Sequence, residues 1–408
     1  MRKKVKVIDL RLGMFVDELC GSWMDHPFWK TSFKLANQKD LATLQESNVQ
    51  EVWIDTDKGL DTETQIKAVS EAEEKQKTDA LLQQAALKET KAETRVSLDR
   101  EMDRARQIHA KAKAAVVSMF KEARMGHAIE VAEVSTLVDD INQSVARNPG
   151  ALISLARLKN KDDYTYLHSV AVCALMIGLG RTLGLAGDVL KSAGMAGLLH
   201  DVGKMMIPDA VLNKPGRLTD EEFTVIKSHP EKGWEILKES QGVDDIALDV
   251  CRHHHERVDG TGYPDKLPGS DLTLFARMGA VCDVYDAITS DRSYKNAWAP
   301  GEAIRKMAEW KDGHFDDAIF QAFVKTVGIY PTGSLIKLRS GRLGVVTDQS
   351  EKSLLLPKVK IFFSTKSNAH IQPQIINLAQ TQDSIVGTEN PATWGFDMQK
   401  ITGLWQAA

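Results

Sequence analysis

The segment HHHERVDGTGYP, His253 to Pro264, decides how the rest of the chain is read. Three histidines are followed by an acid, then by two glycines bracketing a threonine, then by Tyr-Pro. A histidine tract can be a tag, a solvated loop or a set of metal ligands, and only the surrounding chain separates these readings. The Asp259-Gly260-Thr261-Gly262 run has the composition of a tight turn, where glycine also lets a ligand approach the backbone closely.

Around this segment, from residue 130 to 330, apolar residues recur at three- and four-residue spacing. The pattern is broken at Asn148-Pro149-Gly150, at Lys214-Pro215-Gly216 and at the glycine-rich stretch 260–269, which predicts helix after helix with no βαβ alternation. Other residues with metal-ligand chemistry fall in this region. LLHDVGK places His200 and Asp201 at the end of the apolar run MAGLL, with Lys204 four residues after His200, on the same face if the helix continues. His229 lies in IKSHPEKG and His168 in YTYLHSVAV. Asp283 and Asp286 lie in AVCDVYDAI. A lone histidine on a helix is more often packed or solvated than a ligand. Several histidines and aspartates delivered from separate apolar segments are a different matter, because a buried carboxylate is costly unless paired or metal-bound.

Imidazole and carboxylate without thiolate suit Fe, Mn, Zn or Ni. The ligands are too many for one tetrahedral ion and fit a pair of divalent metals bridged by a carboxylate such as Asp201. Such a pair polarises a phosphodiester and activates a water. Lys204 suits charge developing on a phosphoryl group, although a solvated lysine is the plainer reading. Arg292 and Lys295 in TSDRSYKN fit a phosphate clamp or ordinary surface charge. Tyr263 presents a ring that can stack on a nucleobase.

Outside the helical region, residues 1–60 read as a small β-rich unit. KVKVIDL and VQEVWIDT alternate apolar and polar residues around an aromatic stretch with Trp23, Phe28, Trp29 and Phe33. Residues 61–129 are rich in Glu, Lys, Gln and Ala and read as a charged helical linker. They hold no clean heptad, so a dimerising coiled coil is disfavoured and homodimerisation stays open. Residues 331–408 form a β-rich tail, with strands predicted on both sides of Ser340-Gly341 and in PKVKIFF. The fold class is therefore mainly α, with a β-rich domain at the N-terminus and another at the C-terminus. At 408 residues, 43% hydrophobic, 26% charged and a formal net charge of −4, the chain lacks the basic surplus of a nucleic-acid-polymer binder. Four scattered cysteines without a CxxC pair, no signal-peptide h-region and no apolar run long enough to span a bilayer point to the cytoplasm.

His200-Asp201 with Lys204, followed by HHExxDGxGYP at 254–264, resembles the HD-GYP subgroup of the HD phosphohydrolases over roughly residues 145–330. Residues 1–60 resemble the small domain of unknown function that often precedes it in bacterial proteins. The resemblance implies an all-helical metallophosphodiesterase domain that hydrolyses cyclic di-GMP in second-messenger signalling. It places His168, His200, Asp201, His229, His254, His255 and Asp283 on metal ligands, with Asp201 bridging. Lys204 falls on the scissile-phosphate contact, and Tyr263, Asp286, Arg292 and Lys295 on substrate contacts. His253 falls outside the ligand set. Three-metal members carry a glutamate four residues before the first histidine. Here that position is Tyr164, which implies two metals, Fe or Mn with Ni or Zn as alternatives, and pGpG as product ahead of GMP. The rival readings are a non-catalytic receptor or scaffold that binds a diguanylate cyclase through the GYP loop, and a phosphodiesterase for a mixed GMP–AMP cyclic dinucleotide.

Overall fold

The computed structural model describes residues 1–21, 32–47, 49–62, 68–87, 96–156, 164–214, 216, 218–290, 297–350 and 353–406. Most of the aromatic stretch near the N-terminus, including Trp23, Phe28 and Trp29, lies outside them, as do Arg292 and Lys295. The chain divides into two units, Met1–Gln83 with Lys306–Asp312, and Gln84–Arg305 with Gly313–Ala408.

In the first unit, strands β1 (Arg2–Lys6), β2 (Phe15–Leu19), β3 (Phe33–Lys34), β4 (Glu51–Asp55) and β5 (Val69–Ser70) form an antiparallel sheet of order β3-β2-β4-β1-β5. Helix α1 (Gln38–Gln45) is capped by Asn37, whose side chain accepts from the Asp40 amide at 2.8 Å. Val5, Val16, Leu35, Leu44, Val52 and Ile54 fill the core. The unit extends past residue 60, because β5 completes the sheet beside β1. Lys4 is 6% exposed and pairs with Glu51 at 2.7 Å and Glu74 at 3.2 Å, which offsets the cost of burying its charge.

Helix α2 (Glu71–Leu87) is followed by α3 (Leu98–Arg124), α4 (Val131–Arg147), α5 (Pro149–Ala156), α6 (Tyr164–Thr182) and α7 (Gly187–Leu199). Helix α3 is more than the charged linker expected from its composition. Met102, Ala105, Ala112, Val116 and Phe120 form a buried stripe at helical spacing. Glu101, fully buried, accepts from Arg147 at 2.7 and 2.8 Å and from Ser144 at 2.9 Å, tying α3 to α4. The remaining helices are α8 (Asp209–Leu212), α9 (Asp220–Lys227), α10 (His229–Glu239), α11 (Asp245–His253), α12 (Leu274–Ile288), α13 (Pro300–His314), α14 (Asp317–Val327) and α15 (Met398–Gln406). Strands β6 (Leu335–Leu338), β7 (Arg342–Asp348), β8 (Lys358–Ser364), β9 (Ala369–Asn377) and β10 (Ile385–Thr388) make a second antiparallel sheet of order β10-β6-β7-β8-β9 over Ile336, Val346, Val359 and Ile361.

Two glycines bring the ligand-bearing segments together. A Cβ at Gly197 would lie 2.9 Å from the Cys173 Cα, so α7 can cross α6 closely enough to set His200 beside His168. A Cβ at Gly203 would lie 2.0 Å from the His229 carbonyl oxygen and 2.4 Å from the Gly233 amide nitrogen. Both atoms are backbone and neither can yield. We therefore expect Gly203→Ala to push the 202–206 turn away from α10 at a cost of ~1–3 kcal/mol, lowering both the melting temperature and bound metal. A variant that melts and loads metal like the unmodified protein would show that this contact does not set the spacing.

Candidate metal centre

Histidines and aspartates from five helical segments converge in one cluster. His168 comes from α6, His200 and Asp201 from the end of α7, His229 from the start of α10, His254 and His255 from the end of α11, and Asp283 from α12. His168, His200 and Asp201 are fully buried, and His229, His254 and Asp283 nearly so. The cluster has two halves. One is His168, His200 and Asp283; the other is His229, His254 and His255. Asp201 joins them. Its Oδ2 faces His168 Nε2 at 3.3 Å and His200 Nε2 at 3.4 Å. Its Oδ1 faces His229 Nε2 at 3.2 Å and His254 Nε2 at 3.7 Å. Asp283 reaches His168 Nε2 at 2.9 Å through Oδ1 and His255 Nδ1 at 3.6 Å through Oδ2.

The outer ring nitrogens fix these orientations. Nδ1 of His200 lies 2.8 Å from the Gly197 carbonyl, that of His229 2.7 Å from Ile226, and that of His254 3.0 Å from both Val250 and Cys251. An Nδ1–H donating to each carbonyl leaves the Nε2 lone pair facing the centre, the usual arrangement of metal-ligating imidazoles. His168 Nδ1 is held by Asp286 Oδ2 at 2.6 Å. Asp286, expected among substrate contacts, is placed here against a candidate ligand. At 1% exposure it sits behind His168, because one helical turn from Asp283 carries it along the same inward face of α12.

The electrostatics fit a cation. Burial favours the neutral form of Asp201, yet Lys204 and His200 outweigh it and hold the carboxyl well below its ordinary range; Asp283 is held down likewise by His168 and His200. Burial opposes charge on His200, but Asp201 and Asp283 lift its pKa to about 10. Burial, reinforced by the charge on His200, lowers His254 to about 3. His255 is also held well below the usual range, chiefly by burial. His168 and His200 therefore carry protons that a divalent ion would displace. Two further observations test the fit. His168 Nε2 and His200 Nε2 approach to 3.3 Å, as do those of His229 and His254, and two ring nitrogens that close need a proton or cation between them. Asp201 Oδ1 is buried and accepts no hydrogen bond, a costly condition for a carboxylate oxygen.

Around the centre, Lys204 reaches Asp201 Oδ2 at 2.5 Å. The α-helix expected to run from His200 to Lys204 ends at Leu199, and residues 202–206 form a 3-10 turn, in which i and i+3 eclipse. Lys204 is thus aligned with Asp201, not with His200. Tyr263 stacks on His255, with centroids 4.8 Å apart and planes at 28°. His253 points away, its nitrogens 2.8 Å from Asp249 and 3.1 Å from Asp265. Sequence reasoning passed over Glu256. It is 2% exposed and accepts the amides of Asp265 and Lys266 at 2.7 and 2.9 Å. The available signal was an acid directly after two candidate ligands. The side chain of Tyr164, like Arg292 and Lys295, lies outside the described residues.

A helical domain that collects histidines and adjacent His-Asp side chains in this way defines an HD-type metallohydrolase. Residues 142–319 match the HD domain, which binds divalent metal, and residues 2–134 match a domain of unknown function, DUF3391. The chain is 54% identical over 408 residues to the cyclic di-GMP phosphodiesterase PA4108 of Pseudomonas aeruginosa, covering 99% of this chain and 96% of that protein. It is 37% identical over 193 residues to the cyclic di-GMP phosphodiesterase response regulator RpfG of Xanthomonas campestris, covering 46% of this chain and 50% of that one. It is 36% identical over 151 residues to the 3'3'-cGAMP-specific phosphodiesterase 2 of Vibrio cholerae, covering 36% of this chain and 28% of that one. The chain belongs to the same family as the Pseudomonas protein, the HD-domain phosphodiesterases that carry this N-terminal domain.

The position of Asp286 gives a direct expectation. Asp286→Asn should weaken metal binding about 10–100-fold, the usual effect of losing a carboxylate behind a ligating histidine, while the KM of the fully loaded protein changes little. A raised KM with unchanged metal affinity would return Asp286 to the substrate.

Proposed function

We propose that this chain hydrolyses cyclic di-GMP to pGpG, and more slowly to GMP, at a centre of two divalent metal ions, iron or manganese. The observation that carries the reading is Asp201. Its two oxygens face the two halves of one buried cluster, with Lys204 alongside. When bound, the metals supply Lewis-acid polarisation of the phosphodiester and an activated water. The protein's own groups do the rest. Asp201, Asp283 and the histidines hold the cations, with backbone carbonyls and Asp286 fixing ring directions. The Lys204 ammonium faces the place where phosphoryl charge develops. Tyr263 stands over His255 as an aromatic platform for a base. Arg292 and Lys295 add the phosphate clamp on sequence grounds.

The two-metal count and pGpG as main product rest on Tyr164. A phenol with an ordinary pKa near ~10 is a poor substitute for an anionic ligand one turn from His168. The relatives support the substrate through PA4108, which is named for cyclic di-GMP. The match to a 3'3'-cGAMP-specific enzyme favours the mixed ring as second reading. The intact ligand cluster argues against a purely non-catalytic receptor. No described helix is long and apolar enough to cross a membrane, and we place the enzyme in the cytoplasm.

The test is turnover by the Mn- or Fe-loaded protein of cyclic di-GMP beside 3'3'-cGAMP, with products separated by chromatography. Preferred cleavage of cyclic di-GMP with accumulating pGpG is expected; preference for the mixed ring would overturn the substrate, and no cleavage of either would overturn the reaction. In the same assay Lys204→Ala should slow cleavage on the order of a hundred- to thousandfold, as for loss of one transition-state donor. Its metal content should hold, because the cations take over the charge balance of Asp201. An unchanged rate would make Lys204 a structural partner of Asp201 only.

A further inference from the structure

We infer that Glu256 is a positioning residue that sets Tyr263 over the metal centre, by filling an anion-binding nest in the loop that follows. The inference rests on the proposed reaction with a cyclic dinucleotide. Glu256 is 2% exposed, and a carboxylate there needs partners. Its partners are three successive backbone amides: Asp265 at 2.7 Å and Lys266 at 2.9 Å to Oε1, and Leu267 at 3.2 Å to Oε2. Lys266 sits at φ 55°, in the left-handed region. Left-handed residues in such runs turn consecutive N–H groups toward one point and make an anion-binding concavity. Here the chain supplies the anion itself, and the loop from 256 to 267 closes on its own side chain.

The rest of the loop is held against this anchor. A Cβ at Gly262 would lie 2.4 Å from the Glu256 Cα and 2.6 Å from the Arg257 nitrogen, so the loop returns onto the backbone at its own start. The Tyr263 amide donates to the His255 carbonyl at 3.3 Å. Asp259 folds the first half, accepting from the Thr261 amide at 3.0 Å and hydroxyl at 2.6 Å. The Asp259 amide donates to the Gly313 carbonyl at 3.0 Å. Tyr263 thus lies between two fixed stretches, 255–257 and 265–267, and its ring stacks on His255. Glu256 touches neither the ligand cluster nor the platform ring in these contacts, so it acts through the loop.

The test uses Glu256→Gln in the full-length chain. Glutamine keeps the shape but replaces one acceptor oxygen with an NH2 that faces backbone N–H groups. Hydrogen exchange at the amides of 265–267 should quicken roughly ten- to hundredfold, as for lost charge-assisted bonds. In the Mn-loaded protein, kcat/KM for cyclic di-GMP should fall about tenfold further than kcat/KM for bis(p-nitrophenyl) phosphate, mainly through KM. That small diester needs the metals but has no base to stack. Tyr263→Ala should show the same split between substrates, and adding Glu256→Gln to it should widen the split little, because both changes act through one element. Equal losses on both diesters together with lost metal would overturn the proposal and make Glu256 a support of the metal centre. Unchanged exchange at 265–267 would overturn it as well. If the unmodified protein cleaves the small diester but not the dinucleotide, the proposed function falls, while the exchange experiment still decides whether Glu256 holds the loop.

Discussion

The Asp201 carboxylate is fully buried, ionised and shared. Each of its oxygens faces a different set of histidines, so the carboxylate lies between the two halves of the cluster. Taking such a charge out of water costs several kcal/mol unless opposite charge is close by. In the polypeptide, Lys204 and protonated His168 and His200 provide that charge. The number of imidazoles exceeds what this balance requires. His229, His254 and His255 are held neutral by burial, with lone pairs available for a divalent cation. The requirement that Asp201 be compensated from both sides explains why ligands arrive from five segments, and why Gly197 and Gly203 must keep those segments close.

The same logic extends outward in layers. Backbone carbonyls and Asp286 orient the ligand rings. The amides of 265–267 and the carbonyl of Gly313 orient the loop that carries Tyr263. Ligands and their orienting partners sit on helix ends or in buried helix interiors, where the backbone is already fixed. Such placement keeps rotamers within the tolerance that binding and catalysis require.

Much of this was legible in the sequence, and the failures have identifiable causes. His200, Asp201, His254 and His255 stood out because polar residues interrupted apolar runs or clustered around a turn. The strands flanking Ser340-Gly341 appear as β6 and β7, since alternation and a turn glycine are local signals. The end of α7 was not legible: His200 to Lys204 reads as helix by spacing, and only the approach of Gly203 to the α10 backbone shows why a 3-10 turn replaces it. Charged composition hid the buried stripe of α3, because seven-residue regularity is the wrong template for a helix packed on several unequal neighbours. The position of Asp286 behind His168 was not legible either, because a motif carries no information on whether a carboxylate faces the centre or the back of a ligand. Glu256 was missed for a related reason, as its partners are amides, which leave no trace in residue identity.

The central claim is that Asp201 joins two cation sites. Anomalous scattering at the metal edge, beside elemental analysis of the same protein, addresses it most directly. The account predicts two peaks per chain, one on either side of the Asp201 carboxylate, and loss of both in Asp201→Ala with the fold retained. A single peak in the unmodified protein, three fully occupied peaks, or an Asp201→Ala variant that keeps its full metal content would contradict it.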